Sequence, residues 1–211
     1  MSNDQKTVLL LNSSPRKNGL TNALLTACQE KLDALNSNEE KKIVSKSIQL
    51  SDFNIQHCTG CDACLKKPFA CPLSEKDDMP KLEKELLSAS AIIVGAPSYF
   101  ANVPAIMKDV IDRSRPMKMA KYKLKDKIFS AITASGLQNG GSNFVADTLI
   151  HWAIIQGMIV VGALGHPVLM NNLPSESLQK LELTSFRKPS EPSDLAKGLS
   201  ESLAKRVFGL L

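Results

Sequence analysis

Cys58, Cys61, Cys64 and Cys71 place four of the chain's five thiols within fourteen positions, in the spacing C-x2-C-x2-C-x6-C, with Pro72 directly after the last. Thiolates are soft ligands for iron and zinc, and three of them within seven residues can wrap a compact inorganic core. The spacing is similar to the runs that hold a 4Fe-4S cube, and Gly60 permits a tight turn that aims backbone amides at sulfur. Zinc is the rival, although zinc sites more often join two C-x2-C pairs from separate hairpins. Reduced, empty thiols are the third reading. His57 adjoins Cys58 and could tune or replace a ligand, yet a loop histidine is more often incidental. His151 and His166 share no ligand spacing with it.

A second chemistry-bearing group follows the first apolar run. In "NSSPRKNGLTN", residues 12–22, the hydroxyls of Ser13, Ser14 and Thr21 and the amides of a starting helix can donate to a phosphate. Arg16 adds a charge-assisted contact, and Gly19 and Asn22 complete the loop. The loop is neither G-x-G-x-x-G nor G-x-x-x-x-G-K-S/T, and an ordinary capped turn is its bland reading. Two further loops point the same way. Pro97, Ser98, Tyr99, Phe100 and Asn102 offer an aromatic pair and polar backbone suited to the edge and face of a planar ring. Ser135, Gly136 and Gly140 lie in a glycine-rich loop where backbone can approach a ligand closely.

The elements that position these loops are short. Apolar runs at Val8–Leu11, Ile43–Leu50, Ala91–Val94, Ile128–Thr133 and Met158–Val161 predict five buried strands. Helical spacing joins Leu20, Leu24, Leu25 and Cys28, with Cys28 as a small apolar filler. It also joins Leu82, Leu86 and Leu87; Ile106, Val110 and Ile111; and Phe144 through Ile155, where Phe144 and Trp152 are expected in the core. A last helix is expected to be capped by Ser193 or Asp194 and to bury Leu195, Leu199, Leu203 and Val207. Such alternation predicts a doubly wound α/β domain with its ligand at the carboxyl ends of the strands. One domain over 1–211 is expected, with the cysteine loop at 58–72 and a C-terminal extension at 166–211.

With 26 Lys+Arg against 21 Asp+Glu, the charge of +5 suits small anions but falls short of a nucleic-acid-binding stripe. Lys118, Lys121, Lys123, Lys125 and Lys127 read as a solvated face, with steering of an anionic partner as the sharper alternative. The polar start lacks the layout of an export signal, and no apolar run approaches the roughly 20 residues that span a bilayer. The expectation is a cytoplasmic protein without a membrane partner, where thiols stay reduced.

The pattern S-P-R-x-x-G-x-T after strand one, G-x-P-x-Y-F-x-x-x-P-x-x-x-K-x-x-I-D-R after strand three and the glycine loop after strand four resembles the NADPH-dependent FMN reductase family. The cysteine loop resembles its iron-sulfur flavoprotein branch, and the likeness runs over about residues 7 to 165. The resemblance implies a flavodoxin-like five-stranded parallel sheet in the order 2-1-3-4-5. It implies that Ser14, Arg16, Gly19 and Thr21 hold the FMN phosphate, that Pro97 to Phe100 with Asn102 line the isoalloxazine, and that Ser135, Gly136 and Gly140 close its other side. It further implies a homodimer or homotetramer. The chain departs from the family at Ser13, where relatives commonly carry glycine, and at Leu20, where a polar residue is common and its loss would weaken the grip on FMN.

The function expected is electron transfer from ferredoxin or NAD(P)H through FMN and a 4Fe-4S cluster to a quinone, oxygen species or other small acceptor, with no catalytic side chain beyond the flavin. The alternatives are an NAD(P)H-dependent FMN or quinone reductase with empty cysteines, and a non-catalytic flavin carrier or thiol or metal sensor. Flavodoxin-type carriers are usually acidic, which this chain is not.

Overall fold

In the computed structural model, residues 5–37, 42–136, 140–167 and 191–211 are described. Five parallel strands are β1 (Lys6–Asn12), β2 (Ile43–Gln49), β3 (Ala91–Pro97), β4 (Ile128–Ser135) and β5 (Ile159–Pro167), in the order β2-β1-β3-β4-β5. The helices are α1 (Leu20–Ser37), α2 (Met79–Ser88), α3 (Ala105–Arg113), α4 (Arg115–Met119), α5 (Ser142–Gln156) and α6 (Asp194–Leu210).

Parallel strands need crossovers, and the helices that supply them cover both faces of the sheet. Side chains alternate along each strand, so β1 sends Val8 and Leu10 to one core and Leu9 and Leu11 to the other. Val8, Leu10, Ala91 and Ile93 meet Leu24, Leu25 and Cys28 of α1 and Leu203, Ala204 and Val207 of α6. On the opposite face Leu9, Leu11, Ile92 and Val94 meet Leu82 and Leu86 of α2, Met107 and Val110 of α3 and Leu149 and Trp152 of α5.

Several expectations are corrected by packing. β2 lies at the sheet edge, burying Ile43 and Ile48 while Val44 stands exposed. β5 continues through His166 to Pro167, two residues into the stretch assigned to the C-terminal extension. Residues 168–190 of that extension lie outside the described residues. Ser193 is the α6 cap, its hydroxyl accepting from the Ala196 amide at 3.3 Å. The α6 stripe is turned from the expected one. Leu195 and Leu199 are exposed, whereas Ala196, Ser200, Ala204 and Phe208 join the expected Leu203 and Val207 inside, because small residues let α6 approach α1. Phe144 is 58% exposed, since it falls just off the Val145, Leu149, Trp152 and Ala153 stripe.

Candidate functional site

The loop after β1 is fastened from below. Asn12, 1% exposed, accepts from the Ser14 amide at 3.0 Å and donates through Nδ2 to Gln49 Oε1 at 2.8 Å and Asn22 Oδ1 at 3.3 Å. The Ser13 amide and hydroxyl both donate to the Gly95 carbonyl, at 2.9 and 2.8 Å, so this hydroxyl ties the loop to β3. Ser14 Oγ accepts from the Arg16 amide at 3.1 Å. Thr21 is buried against Gly95, and its Cγ2 lies 2.9 Å from where a Cβ on that glycine would sit. Arg16 is exposed, Gly19 half-buried, and the loop rim is joined to the end of β2 by Lys17 and Asp52 at 2.5 Å. Leu20 is buried beside Leu24, so the position contributes packing instead of a ligand contact.

After β3 the chain makes a two-residue hairpin. Tyr99 and Asn102 exchange backbone hydrogen bonds at 2.9 and 3.2 Å, and the residues between them, Phe100 and Ala101, have φ of 54° and 61°. Left-handed backbone at both positions is the geometry of a type I′ turn, which favours Asn-Gly and costs L-residues with a Cβ about 1 to 2 kcal/mol each. This strained turn presents the Phe100 ring entirely to solvent. Asn102 Oδ1 accepts from the Val103 amide at 2.8 Å.

The hairpin leans on the loop after β4. Ser98 donates from its amide to Ala134 O at 2.6 Å and from its hydroxyl to Gly140 O at 2.5 Å. Gly141, with φ 85°, touches Ala101 so closely that a Cβ there would stand 2.5 Å from the Ala101 Cα. Ser135 is buried and Gly136 half-buried at the end of β4. Thus the loops after β1, β3 and β4 meet at the carboxyl edge of the sheet, where open parallel sheets bind ligands. Of the side chains expected to touch a ligand, Ser13 and Asn22 serve as braces.

The cysteine loop hangs from a closed neck. Residues 54–56 and 76–78 are joined by Asp78 N to Asn54 O at 2.9 Å, Asn54 N to Asp78 Oδ2 at 2.9 Å and Gln56 N to Asp77 Oδ2 at 3.0 Å. From α3, Arg113 donates to Gln56 O at 2.8 Å and pairs with Asp77, both side chains fully buried. Asp109 on the same helix meets His57 Nδ1 at 2.7 Å, raising the His57 pKa through hydrogen bonding and charge. Burial opposes ionisation of Asp77, yet bonds from Arg113 and from the Gln56 and Met79 amides leave its pKa lowered.

Beyond the neck, Cys58, Cys61, Cys64 and Cys71 line one small cavity, walled by Arg113 and Arg115. Gly60 has φ 68°, the turn expected of it. The Ala63 amide, then the Thr59 hydroxyl, lower the Cys61 pKa; burial raises that of Cys64 against the pull of Arg115. Arg115 is held by Asp62 at 2.7 Å. Among the described residues no three His, Cys, Asp or Glu side chains are grouped about one metal ion. A cube takes one thiolate per iron and so needs a wider ring than a single ion does. Four thiols on one cavity are the number a cube would take, and the lining sets Arg113 and Arg115 among them beside Asp62 and Asp112.

Sequence reasoning had Arg113 only as the end of the pattern after strand three, without a role, and missed Asp77, Asp109, Asp62 and Arg115. Their pairings span up to 53 residues and leave no local pattern, although a charged pair flanking the cysteine loop was visible at Asp77 and Asp78. Lys121, Lys123 and Lys125 are the exposed face expected. Lys127 is not part of it: its amine donates to the Leu87 carbonyl at 2.8 Å and to that of Ala89, closing the end of α2, and burial lowers its pKa.

The NADPH-dependent FMN reductase family model matches residues 7–166. An iron-sulfur flavoprotein of Archaeoglobus fulgidus is 34% identical over 95% of this chain and 92% of its own length. An iron-sulfur flavoprotein of Methanosarcina thermophila is 31% identical over 74% of this chain and 77% of its own. Among solved structures, the FMN-dependent NADH-azoreductase of Bacillus anthracis in complex with FMN shares the fold with a TM-score of 0.65 at 17% identity, covering 96% of this chain and 100% of that one. With its family match, its relatives and its carboxyl-edge loops, the chain belongs to the NADPH-dependent FMN reductase family of flavin-dependent oxidoreductases, in its iron-sulfur flavoprotein branch.

Proposed function

We propose that the chain binds FMN at the carboxyl edge and a 4Fe-4S cluster in the cysteine loop, and moves electrons from ferredoxin or NAD(P)H to a quinone, an oxygen species or another small acceptor. The observation that carries this reading is the convergence of all four loop cysteines on one cavity walled by two arginines. Together the two cofactors would let a one-electron partner serve a two-electron one, because a cluster passes electrons singly and a flavin passes them singly or in pairs.

Ser14, Arg16, Gly19, Thr21 and the first amides of α1 would hold the phosphate, where helix dipole and guanidinium both favour an anion. Pro97 to Phe100 with Asn102 would take the ring, whose apolar face suits the solvent-exposed Phe100. Ser135, Gly136 and Gly140 would close the other side, with Ser13 and Asn22 keeping the loop in shape. A homodimer or homotetramer is supported by the exposed Phe144, Ile154 and Ile155 on α5. A reducing compartment such as the cytoplasm would keep the loop thiols available.

An anaerobic visible spectrum with iron and sulfide analysis tests both halves. Flavin bands over a broad absorption near about 400 nm that dithionite bleaches are expected. Flavin bands alone, from protein never exposed to air, would overturn the cluster and leave an NAD(P)H-dependent FMN or quinone reductase. Cys61→Ser should lose iron and keep FMN, since thiolate ligation and the phosphate cradle use separate loops. NADPH oxidation by the pure protein separates an enzyme from a carrier or sensor.

A further inference from the structure

Arg113 is buried whole, and four of its five N–H groups are accounted for. Nη1 serves Gln56 O and Asp77 Oδ2, while Nη2 serves Asp77 Oδ1 at 3.3 Å and Ser74 Oγ at 3.5 Å. The fifth, on Nε, has no acceptor among the described residues. A buried donor without an acceptor is rare, because it has given up water and received nothing in return. Arg113 also lines the cavity that the four cysteines share. An arginine guanidinium keeps its charge at any working pH, and here Asp77 neutralises it from the side away from solvent.

We propose that Arg113 Nε–H donates a hydrogen bond to a sulfur of the iron-sulfur centre, at Cys71 Sγ or an adjoining sulfide, and thereby raises the centre's reduction potential. The inference rests on the cluster reading above. Reduction adds negative charge to the sulfurs, so a charged donor stabilises the reduced centre more than the oxidised one. Asp77 fixes the fork of the guanidinium through Nη1 and Nη2, which leaves Nε as the donor still to be satisfied on a residue that lines the cavity of the four thiols. The competing role is a plain staple between α3 and the neck of the cysteine loop, which would be indifferent to the electron count.

Arg113→Lys separates the two roles, because its single ammonium can still pair with Asp77 but leaves no N–H at the position that Nε holds. Redox titration of the reconstituted holoprotein should show the centre about tenfold more oxidised at a fixed dye ratio, equal to about 59 mV for one electron, with unchanged iron and sulfide. An unchanged midpoint would overturn the proposal. A second measurement keeps Arg113 in place: arginine labelled with 15N at Nε is incorporated into the Arg115→Lys protein, checked first for wild-type iron and sulfide content, and the dithionite-reduced centre is examined by pulsed electron paramagnetic resonance. A 15N coupling is expected; a centre without one overturns the donor role while leaving the cluster reading intact. Anaerobic wild-type protein devoid of iron would overturn both.

Discussion

Gly141 and Gly157 bracket α5 with nearly the same backbone, φ 85° and ψ 15° against φ 80° and ψ 17°, yet sit in different surroundings. At Gly157 the nearest atoms that a Cβ would meet belong to Lys125, no closer than 3.4 Å, which is ordinary contact. Gly157→Ala should therefore cost the left-handed backbone strain alone, about 1 to 2 kcal/mol. At Gly141 the same strain is joined by a Cβ 2.5 Å from the Ala101 Cα and 2.7 Å from its Cβ. Backbone cannot swing aside as a side chain can, so overpacking adds about 1 to 3 kcal/mol, for a total of about 2 to 5 kcal/mol.

Urea unfolding followed by the fluorescence of Trp152, the single tryptophan, reads this difference. That indole is 3% exposed, bonded to Ser114 Oγ at 2.9 Å and edge-on to Phe129 at 5.8 Å, so it reports the core. The clash has a functional arm as well. If moving the Tyr99–Asn102 hairpin relieves it, and the hairpin lines the ring, a displacement worth about 1.4 kcal/mol weakens FMN binding about tenfold. Gly157→Ala, at the far end of the helix, should leave FMN binding as in wild type. Equal destabilisation by the two alanines would refute the packing argument, and unchanged FMN affinity in Gly141→Ala would separate the hairpin from the flavin.

Ala101→Gly relieves about 1 to 2 kcal/mol of strain at φ 61° and gives back about 0.4 to 1 kcal/mol in unfolded-chain entropy, so a rise of a few degrees in melting temperature is expected and a fall would contradict the turn assignment. Burial pushes the Cys28 thiol up to about 12 from its ordinary 9.0; stabilisation is therefore full below 9.0 and lost as pH rises toward 12, by about 1.4 kcal/mol per unit, and Cys28→Ala should flatten that alkaline slope. For Asp77 the sign is opposite. Its folded pKa lies below the ordinary 3.8, so its contribution is full above 3.8 and lost as pH falls through the folded value. Asp77→Asn should remove that acid-side slope and, by leaving Arg113 buried without its counterion, cost about 3 to 5 kcal/mol at neutral pH by denaturant titration.

The central strands were legible because they are covered on both faces and read as unbroken apolar runs, as in Val8–Leu11 and Ala91–Val94. β2 was legible as a strand but not as an edge, since exposure depends on which neighbour is missing. The α6 stripe was misread for a related reason. Leucine spacing draws attention to large residues, while close helix approach is decided by small ones such as Ala196, Ser200 and Ala204. In the site, loop positions followed from strand ends, but the aim of each hydroxyl did not. Ser13 reads as a phosphate donor in sequence and bonds inward to Gly95 because that carbonyl, 82 residues away, lies on the adjacent strand. The cation facing the cysteines was hidden in the same way, behind a pairing 36 residues apart.

One short helix links the two halves of the proposed chemistry. α3 begins at Ala105, just beyond the aromatic hairpin, and ends at Arg113, beside the cysteine cavity. Its nine residues span roughly 13 Å at 1.5 Å each, so a movement at one end is transmitted to the other with little slack. Met107 and Val110 lock it into the core, while Asp109 and Arg113, one turn apart, grip His57 beside the cysteine loop and Asp77 in its neck. A cluster held by that loop and a flavin held by that hairpin would thus be placed relative to each other by a helix with one face anchored in the core, instead of by two surface loops moving independently. Rigid placement is what transfer between two cofactors in one chain requires of the protein, because the protein supplies their position and surroundings and the cofactors supply the electrons.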